Sequence, residues 1–255
     1  MSEFRFRQFS VKNEASAMKV GTDAVLLGAA MTLLPSDRSL LDVGTGTGVI
    51  ALMAAQRLKA MPVAALPVAT DNTAAPVFQI DAIDIDPASA AEAAENFAAS
   101  PWSAHLRALC TPLSAYNQED AHDAPAGFDL IFSNPPYYDS SLKNPDARES
   151  AARHTETLSY RELCAFAEAH LRPEGRLSLI LPASCEKDLL RTAASFGLFP
   201  FRLLRILTTP AKPVSRLIAE FSRTRTQPAT TELTLMDPAG KRSPEYATLT
   251  NSFYL

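Results

Sequence analysis

Short apolar runs followed by helix-forming stretches recur along this chain, and this alternation constrains its fold more than any other feature. The first apolar run, Ser39–Val43, leads into a glycine cluster and a helical stretch at 49–58. The second, at 77–85, precedes an alanine-rich helical segment at 88–99, for which Asp86 and Pro87 are a suitable N-cap and first residue. Strands joined by helices of this length usually pair in parallel, so the pattern predicts an α/β fold with a parallel sheet covered by helices.

The alternation continues toward the carboxyl end. Further strands are predicted at Leu106–Cys110, 128–132 and 176–181, and further helices at 160–171 and 185–196. Two β-like runs, 201–208 and 214–221, are joined by a short segment, which predicts an antiparallel hairpin at the sheet edge, and 232–236 is a candidate for a last strand. The segment 60–76 is rich in alanine and proline and is interpreted as an inserted surface loop.

The composition argues against several classes of protein. The chain has 255 residues with 47% hydrophobic and 20% charged residues, which is typical of a globular protein. Cys110, Cys164 and Cys185 form no CxxC motif, and the four histidines are scattered, so neither a metal site nor a disulfide framework is expected. No signal peptide or membrane-spanning run is found, so we expect a soluble, cytoplasmic protein.

Charge is distributed unevenly although the net charge is only −4. Residues 60–130 contain ten acidic residues and one base, whereas residues 196–230 contain one acidic residue, Glu220, and six bases: Arg202, Arg205, Lys212, Arg216, Arg223 and Arg225. A basic face on an acidic protein is suited to a polyanion such as RNA. Solvated charge on the last strands of the sheet is the alternative interpretation.

A glycine turn follows the first strand directly, in the sequence LLDVGTGTG, with glycines at alternate positions: Gly44, Gly46 and Gly48. A dinucleotide fingerprint would need its third glycine at Val49. Asp42 lies where open α/β sheets bind ligands and suits a cationic ligand better than a phosphate. Asp84 ends the next strand, where it can accept hydrogen bonds from both ribose hydroxyls. A ligand with a ribose, a positive charge and no phosphate points to S-adenosylmethionine.

A second motif, Asn134-Pro135-Pro136-Tyr137, follows the apolar strand at 128–132. The prolines end strand pairing and lock their own φ angles, which fixes the direction of the Pro135 carbonyl. That carbonyl and the side-chain oxygen of Asn134 can accept both N–H groups of a planar amino group and direct its lone pair at a methyl donor. Tyr137 can stack on the same group. The motif therefore predicts a clamp for a conjugated amino or amide substrate.

With these two motifs, the chain resembles the class I S-adenosylmethionine-dependent methyltransferases that modify exocyclic amino groups or glutamine amides. Three further stretches make it similar to the bacterial tRNA1(Val) adenine-N6 methyltransferases. They are FRFRQFSV (4–11) with AMKVGTDAVLLGA (17–29), SPWSAHL (100–106) and YATLTNSFYL (246–255). The resemblance covers nearly the whole chain apart from the insertion at 60–76.

This resemblance implies a Rossmann-like, mostly parallel seven-stranded sheet with an antiparallel last strand and helices on both faces. It implies one domain over 1–255, with a cofactor-covering and substrate segment at 1–35, a catalytic core at 36–185 and C-terminal strands with a basic face at 186–255. The implied reaction moves a methyl group from S-adenosylmethionine to N6 of adenosine 37, beside the anticodon of tRNA1(Val). A monomer without metal is favoured.

The resemblance also assigns roles to matching residues. It assigns catalysis to Asn134, Pro135, Pro136 and Tyr137. It assigns cofactor binding to Asp42, Gly44, Gly46, Gly48, Asp84 and Leu113, and to Lys19, Gly21 and Thr22 in the covering segment, although Lys19 can equally be a surface lysine. Because the stretch 110–114 has no carboxylate for an adenine, backbone groups around Leu113 are the candidates there. Substrate contacts are expected from Arg153 and His154 and from Arg5, Arg7 and Lys12, with solvated charge as the alternative.

Three other functions stay open at this point. A protein-glutamine N5-methyltransferase uses the same tetrad on a planar amide, but the cofactor motif begins at Asp42, which leaves no room here for the helical substrate-docking domain expected of those enzymes. An rRNA or DNA amino-methyltransferase would use the same clamp. A non-catalytic RNA-binding module of this fold is a third alternative, against which the intact Asp42, Asn134 and Tyr137 argue.

Overall fold

A computed structural model of the chain describes residues 3–16, 18–62, 78–116, 127–136 and 158–255. A small antiparallel hairpin comes first, β1 (Glu3–Arg5) and β2 (Ser10–Lys12). The other strands are β3 (Ser39–Val43), β4 (Gln79–Asp84), β5 (Leu106–Cys110), β6 (Phe128–Ser133), β7 (Leu171–Pro182), β8 (Phe199–Leu207), β9 (Val214–Ser222) and β10 (Ala229–Thr234). The helices are α1 (Thr22–Ala30), α2 (Val49–Ala60), α3 (Pro87–Ala98), α4 (Tyr160–His170), α5 (Glu186–Ser195) and α6 (Pro244–Thr250).

One sheet contains all strands from β3 to β10, in the order β10-β8-β9-β7-β6-β3-β4-β5. Only β9 runs against its neighbours, β7 and β8, and the other pairs are parallel. The mostly parallel sheet with one antiparallel strand is therefore confirmed, but the antiparallel strand is β9 and not the last strand of the chain, since β10 is parallel to its neighbour. The sheet has one strand more than the seven expected, because β10 adds in parallel outside β8, so the β8–β9 hairpin is not outermost.

The predicted helices and strands are present with small changes at their ends. Asp86 caps α3 as predicted, because its carboxylate accepts the N–H groups of Ala88 and Ser89 and Pro87 occupies the first helical position. The strand predicted at 176–181 is longer than expected, because β7 begins at Leu171 and pairs with β6 through an irregular register. The inserted loop predicted at 60–76 lies outside the described residues from position 63 onward.

Apolar side chains alternate between the two faces of the sheet, and helices cover both. On one face, Leu40 and Phe132 belong to a core that includes residues of α1, α2 and α6. On the other face, Leu41 and Ile131 belong to a core with residues of α4 and α5. Since successive strand residues point to opposite faces, the short run 39–43 serves both cores. Within the described residues, no helix combines the length and the apolarity needed to cross a bilayer.

Half of the six bases expected to form a basic face make ion pairs within the chain. Arg202 pairs with the fully buried Glu220, Arg205 with Glu186 at 2.7 Å and Arg216 with Asp23 at 2.7 Å. Two more have intramolecular contacts: Arg223 donates to the carbonyls of Glu168 and Leu171, and Arg225 lies over the ring of Phe199. Five of the six bases therefore contact groups of the chain itself, so this region offers less charge to a polyanion than its composition suggests.

Gly48 offers a test of how tightly α2 and α3 are packed. It is the N-cap of α2, with φ of 80°, and a Cβ built there would lie 2.5 Å from Cε1 of Phe97. Gly48→Ala should destabilise the protein by about 2–4 kcal/mol, through left-handed strain plus overpacking. Gly240→Ala is the matched control, because φ is 79° there with nothing within 4 Å of the added atom. Urea unfolding measures both, and equal losses would contradict the packing contribution of Phe97.

Candidate active site

Three strand ends meet at the carboxyl edge of the sheet. In the register of β3, Val43 aligns with Ile83 of β4 and with Ser133 of β6. The next residues along each strand are Gly44, Asp84 and Asn134. Side chains and backbone tie the ends together: the Ser133 hydroxyl donates to the Val43 carbonyl at 2.7 Å, and the Gly44 N–H donates to the Ile83 carbonyl at 2.9 Å. The two sequence motifs are therefore neighbours.

Asp84 holds the glycine loop against β4. Its Oδ2 accepts the N–H of Gly46 at 2.9 Å, and its Oδ1 accepts the N–H of Asp86 at 2.9 Å. Each carboxylate oxygen has a second lone pair for another donor. Asp84 lies where it was predicted and can still accept hydroxyl groups of a ligand.

Asp42 lies behind the glycine loop, not in the wall of the cavity. It is fully buried, and its Oδ2 accepts the hydroxyl of Thr45 at 2.7 Å. Among the described residues its Oδ1 has no hydrogen-bond partner. Burial raises the pKa of Asp42 to about 7, the Thr45 hydroxyl opposes this, and the charge of Asp84 raises the pKa further. A cation beyond the loop would favour the charged form of this acid.

A cavity of about 270 Å³ opens at this edge, close to the lower end of the range of about 300–1,000 Å³ for small-molecule sites. Six of the predicted residues line it: Gly44, Gly46, Asp84, Leu113, Asn134 and Pro136. Sequence reasoning missed several others, among them Met18, Ile85, Asp86, Ser89, Leu158 and Glu162. The other described residues predicted for catalysis or cofactor binding are not in its wall: Pro135, which is buried, and Asp42, Gly48, Lys19, Gly21 and Thr22.

The cavity is acidic. Three carboxylates line it, those of Asp84, Asp86 and Glu162, and none of its described lining residues is a lysine or an arginine. Hydrogen bonds from Ser89 lower the pKa of Asp86, so this acid stays charged. Such a cavity attracts a cation and repels phosphate. Ile85 is 60% exposed at the cavity and offers an apolar surface for a flat ring.

The donor and acceptor groups fit S-adenosylmethionine. Asp84 has acceptor oxygens of the kind that ribose hydroxyls require, Ile85 has an apolar surface that would suit an adenine, and the three carboxylates would favour a sulfonium and an ammonium group. The glycine loop is also closely covered: a Cβ at Gly46 would lie 3.3 Å from the Ser16 hydroxyl and 3.5 Å from the Met18 carbonyl. No described group of three or more His, Cys, Asp or Glu side chains is arranged to hold a metal ion.

Helix α3 fixes the N-terminal segment beside this loop. The carboxylate of Glu92 accepts the consecutive N–H groups of Glu14, Ala15 and Ser16 at 2.6–2.8 Å. One turn later, Asn96 accepts the N–H of Lys12 at 2.7 Å and donates to its carbonyl at 3.1 Å. The only sequence signal for this contact is a pair of polar residues four apart on an alanine-rich helix.

The other predicted residues are placed less favourably. Lys19 is exposed and donates to the Glu14 carbonyl at 2.5 Å, which supports its interpretation as a surface lysine. Gly21 caps α1, which begins at Thr22. Arg5 pairs with Glu3, Arg7 donates to the Tyr254 carbonyl, and Lys12 pairs with Glu95. Tyr137, Arg153 and His154 lie outside the described residues.

Curated relatives cover the chain almost completely. A Bacteroides fragilis (strain YCH46) protein named tRNA1(Val) (adenine(37)-N6)-methyltransferase is 38% identical over 253 residues, which cover 99% of this chain and 97% of the relative. Proteins of the same name from Parabacteroides distasonis and Flavobacterium johnsoniae are 39% and 36% identical, with 99% of this chain and 97% and 99% of the relatives covered. The chain belongs to this methyltransferase family. No family model matches it.

Solved structures agree on the fold. An Agrobacterium tumefaciens protein described as a predicted O-methyltransferase superposes with a TM-score of 0.65 at 16% identity, covering 91% of this chain and 96% of the other. A Pyrococcus furiosus methyltransferase gives a TM-score of 0.54 at 19% identity, covering 84% and 89%. At these identities the likeness shows the Rossmann-like methyltransferase fold alone, which confirms the predicted fold class.

The raised pKa of Asp42 predicts how the stability of the protein depends on pH. An acid whose pKa is raised on folding stabilises the protein below its unfolded value near 3.8, and this contribution is lost as the pH rises through about 7. Asp42→Asn removes this titration. As the pH rises from 5 to 8, the free energy of unfolding of Asp42→Asn should therefore increase by roughly 2–3 kcal/mol relative to that of wild type. Urea unfolding across that range measures it.

Asp86→Asn is the control for this pH series. The pKa of Asp86 is lowered, so its titration falls below the range, and asparagine also caps helices well. Its stability should therefore follow that of wild type between pH 5 and 8. If the Asp42→Asn curve ran parallel to both, Asp42 would not titrate there.

Proposed function

We propose that this chain transfers a methyl group from S-adenosylmethionine to the N6 amino group of adenosine 37 in tRNA1(Val). The observation that carries the proposal is that Asn134, the glycine loop and Asp84 line one acidic cavity. Relatives named for this reaction, 36–39% identical over nearly the whole chain, support the same substrate. Within this proposal, S-adenosylmethionine supplies an electrophilic methyl group on a positively charged sulfur.

The cofactor would be held by groups that already line the cavity. Asp84 would accept ribose hydroxyls while it keeps the Gly46 N–H, and Ile85 would pack against the adenine ring. Backbone groups around Leu113, in a short 3₁₀ turn that lines the same cavity, would read the adenine edge. Asp42 would act through the loop, as a buried negative charge on the side away from the ligand.

Asn134 and Pro135 would hold the substrate amino group. Asn134 is only 7% exposed and follows a strand end that the Ser133 hydroxyl ties to β3. Its Oδ1 and the Pro135 carbonyl would accept the two N–H groups of the base and leave the nitrogen lone pair facing the methyl donor. No strong base is required, because the nitrogen becomes acidic on alkylation and its proton can pass to water. Tyr137 is proposed to stack on the base.

The tRNA itself must approach an acidic cavity. Only the base needs to enter, once it is unstacked from the anticodon loop, while its phosphates stay outside. Arg153, His154, Arg5 and Arg7 remain candidates for backbone contacts, with Lys212 as an exposed base between β8 and β9. We place the reaction in the cytoplasm, where tRNA is modified, with a monomer as the working unit.

One experiment separates this proposal from its alternatives. The purified protein is incubated with S-adenosylmethionine and with unmodified bulk tRNA, rRNA, DNA or peptide release factor, and the methyl group is located by mass spectrometry. N6-methyladenosine at position 37 of tRNA1(Val) is the expected product. Label found only on a glutamine of the release factor, only on rRNA or DNA, or nowhere would each overturn the proposal.

The amino-group clamp is tested by Asn134→Ala. Loss of one preorganised polar group should slow methyl transfer at least about 100-fold. Affinity for S-adenosylmethionine, measured by calorimetry, should stay within about threefold, because Asn134 is assigned to the substrate. Asn251→Ala, an exposed asparagine at the end of α6, is the matched control and should leave both values unchanged. Unchanged transfer by Asn134→Ala would rule out the clamp.

A further inference from the structure

Met18 has an unusual position for a large apolar residue. It lines the cavity with 39% of its surface exposed, beside the glycine loop. Its sulfur lies 3.6 Å from Nδ2 of Asn134, which donates an N–H to it. The two residues are 116 positions apart in the chain. The N-terminal segment therefore touches the side chain proposed to hold the reacting amino group.

This contact is anchored on the Met18 side. The Met18 carbonyl accepts the Ser16 hydroxyl at 3.1 Å. Ser16 in turn gives its N–H to Glu92 at 2.8 Å, and its hydroxyl lies 3.1 Å from that of Ser89. Helix α3 thus sets the height of the Met18 backbone above the loop, and the flexible thioether side chain covers the remaining distance.

The chemistry of the contact fixes which way the carboxamide of Asn134 is turned. A thioether sulfur is a weak acceptor, and a carboxamide oxygen is electron-rich as well. Only the orientation with the N–H on the sulfur is attractive, and it keeps Oδ1 away from Met18. We propose that Met18 is a positioning residue, whose sulfur holds the Asn134 amide so that Oδ1 is presented to the amino group of the substrate. This inference rests on the proposed function.

Two substitutions separate the acceptor from the shape of the side chain. Met18→Leu keeps an apolar side chain of similar volume but removes the acceptor. Met18→Gln has a similar length and restores an acceptor oxygen. Single-turnover methylation of tRNA1(Val) at saturating cofactor should fall about 10-fold in Met18→Leu and return to within about threefold of wild type in Met18→Gln. Affinity for S-adenosylmethionine should stay within about threefold in both.

A readout without substrate keeps this test independent of the proposed function. The side-chain amide signals of Asn134, identified by their loss in Asn134→Ala, are followed by ¹H–¹⁵N NMR of the free protein. They should shift in Met18→Leu, and the rest of the spectrum reports that the fold is kept. Met61→Leu, at the end of α2 and outside the cavity wall, should leave these signals and the rate unchanged.

Each outcome decides the matter. A wild-type rate in Met18→Leu, a Met18→Gln variant as slow as Met18→Leu, or unshifted Asn134 signals would overturn the positioning role. A wild-type protein that methylates no tRNA would overturn the proposed function instead. In that case the NMR shift would still decide whether Met18 orients the Asn134 amide.

Discussion

The parallel register of β3 between β4 and β6 is the constraint on which the site depends. Val43 aligns with Ile83 on one side and Ser133 on the other, so the chain leaves the three strands at the same level. A slip of one residue would turn every side chain of a strand to the opposite face and separate Asp84 or Asn134 from the glycine loop. The two cores on either side of the sheet oppose such a slip, because buried apolar residues alternate along β3.

The two ligands of the proposed reaction carry opposite charges, since the sulfonium cofactor is cationic at its sulfur and the tRNA is a polyanion. The cavity presents carboxylates and, among its described lining residues, no base, which suits a sulfonium cofactor but opposes the phosphates of a tRNA. Three arginines of the basic region offer limited attraction to these phosphates, because each already forms an ion pair with an acid of the chain: Arg202, Arg205 and Arg216. In the proposed reaction, recognition of the RNA would therefore depend on basic residues at a distance from the cavity and on entry of one uncharged nucleobase.

Local patterns were sufficient to predict most of the fold and six of the residues that line the cavity. The strand ends, the cap at Asp86 and the glycine turn all follow from neighbouring residues. Contacts between distant parts of the chain leave no such pattern. For this reason the contact of Met18 with Asn134 and the hydrogen bonds of Glu92 to the N-terminal segment were not predicted, and the charge available in the basic region was overestimated. Asp42 was predicted at the end of its strand, but its full burial and its hydrogen bond from the Thr45 hydroxyl were not.

Glu92 and Asp42 are two buried acids near the glycine loop whose pKa values shift in opposite directions. Burial alone would raise the pKa of Glu92, but three backbone N–H groups outweigh it and lower the pKa, so the N-terminal segment stays anchored at any ordinary pH. For Asp42, burial outweighs the Thr45 hydroxyl and the backbone of Ala51, which lower the pKa, so the pKa is raised to about 7. A cation bound beyond the loop would therefore change the protonation of Asp42 while the segment that carries Met18 keeps its place. Around the glycine loop, Glu92 of α3 thus holds the N-terminal segment in place, while the charge of Asp42 responds to the ligand.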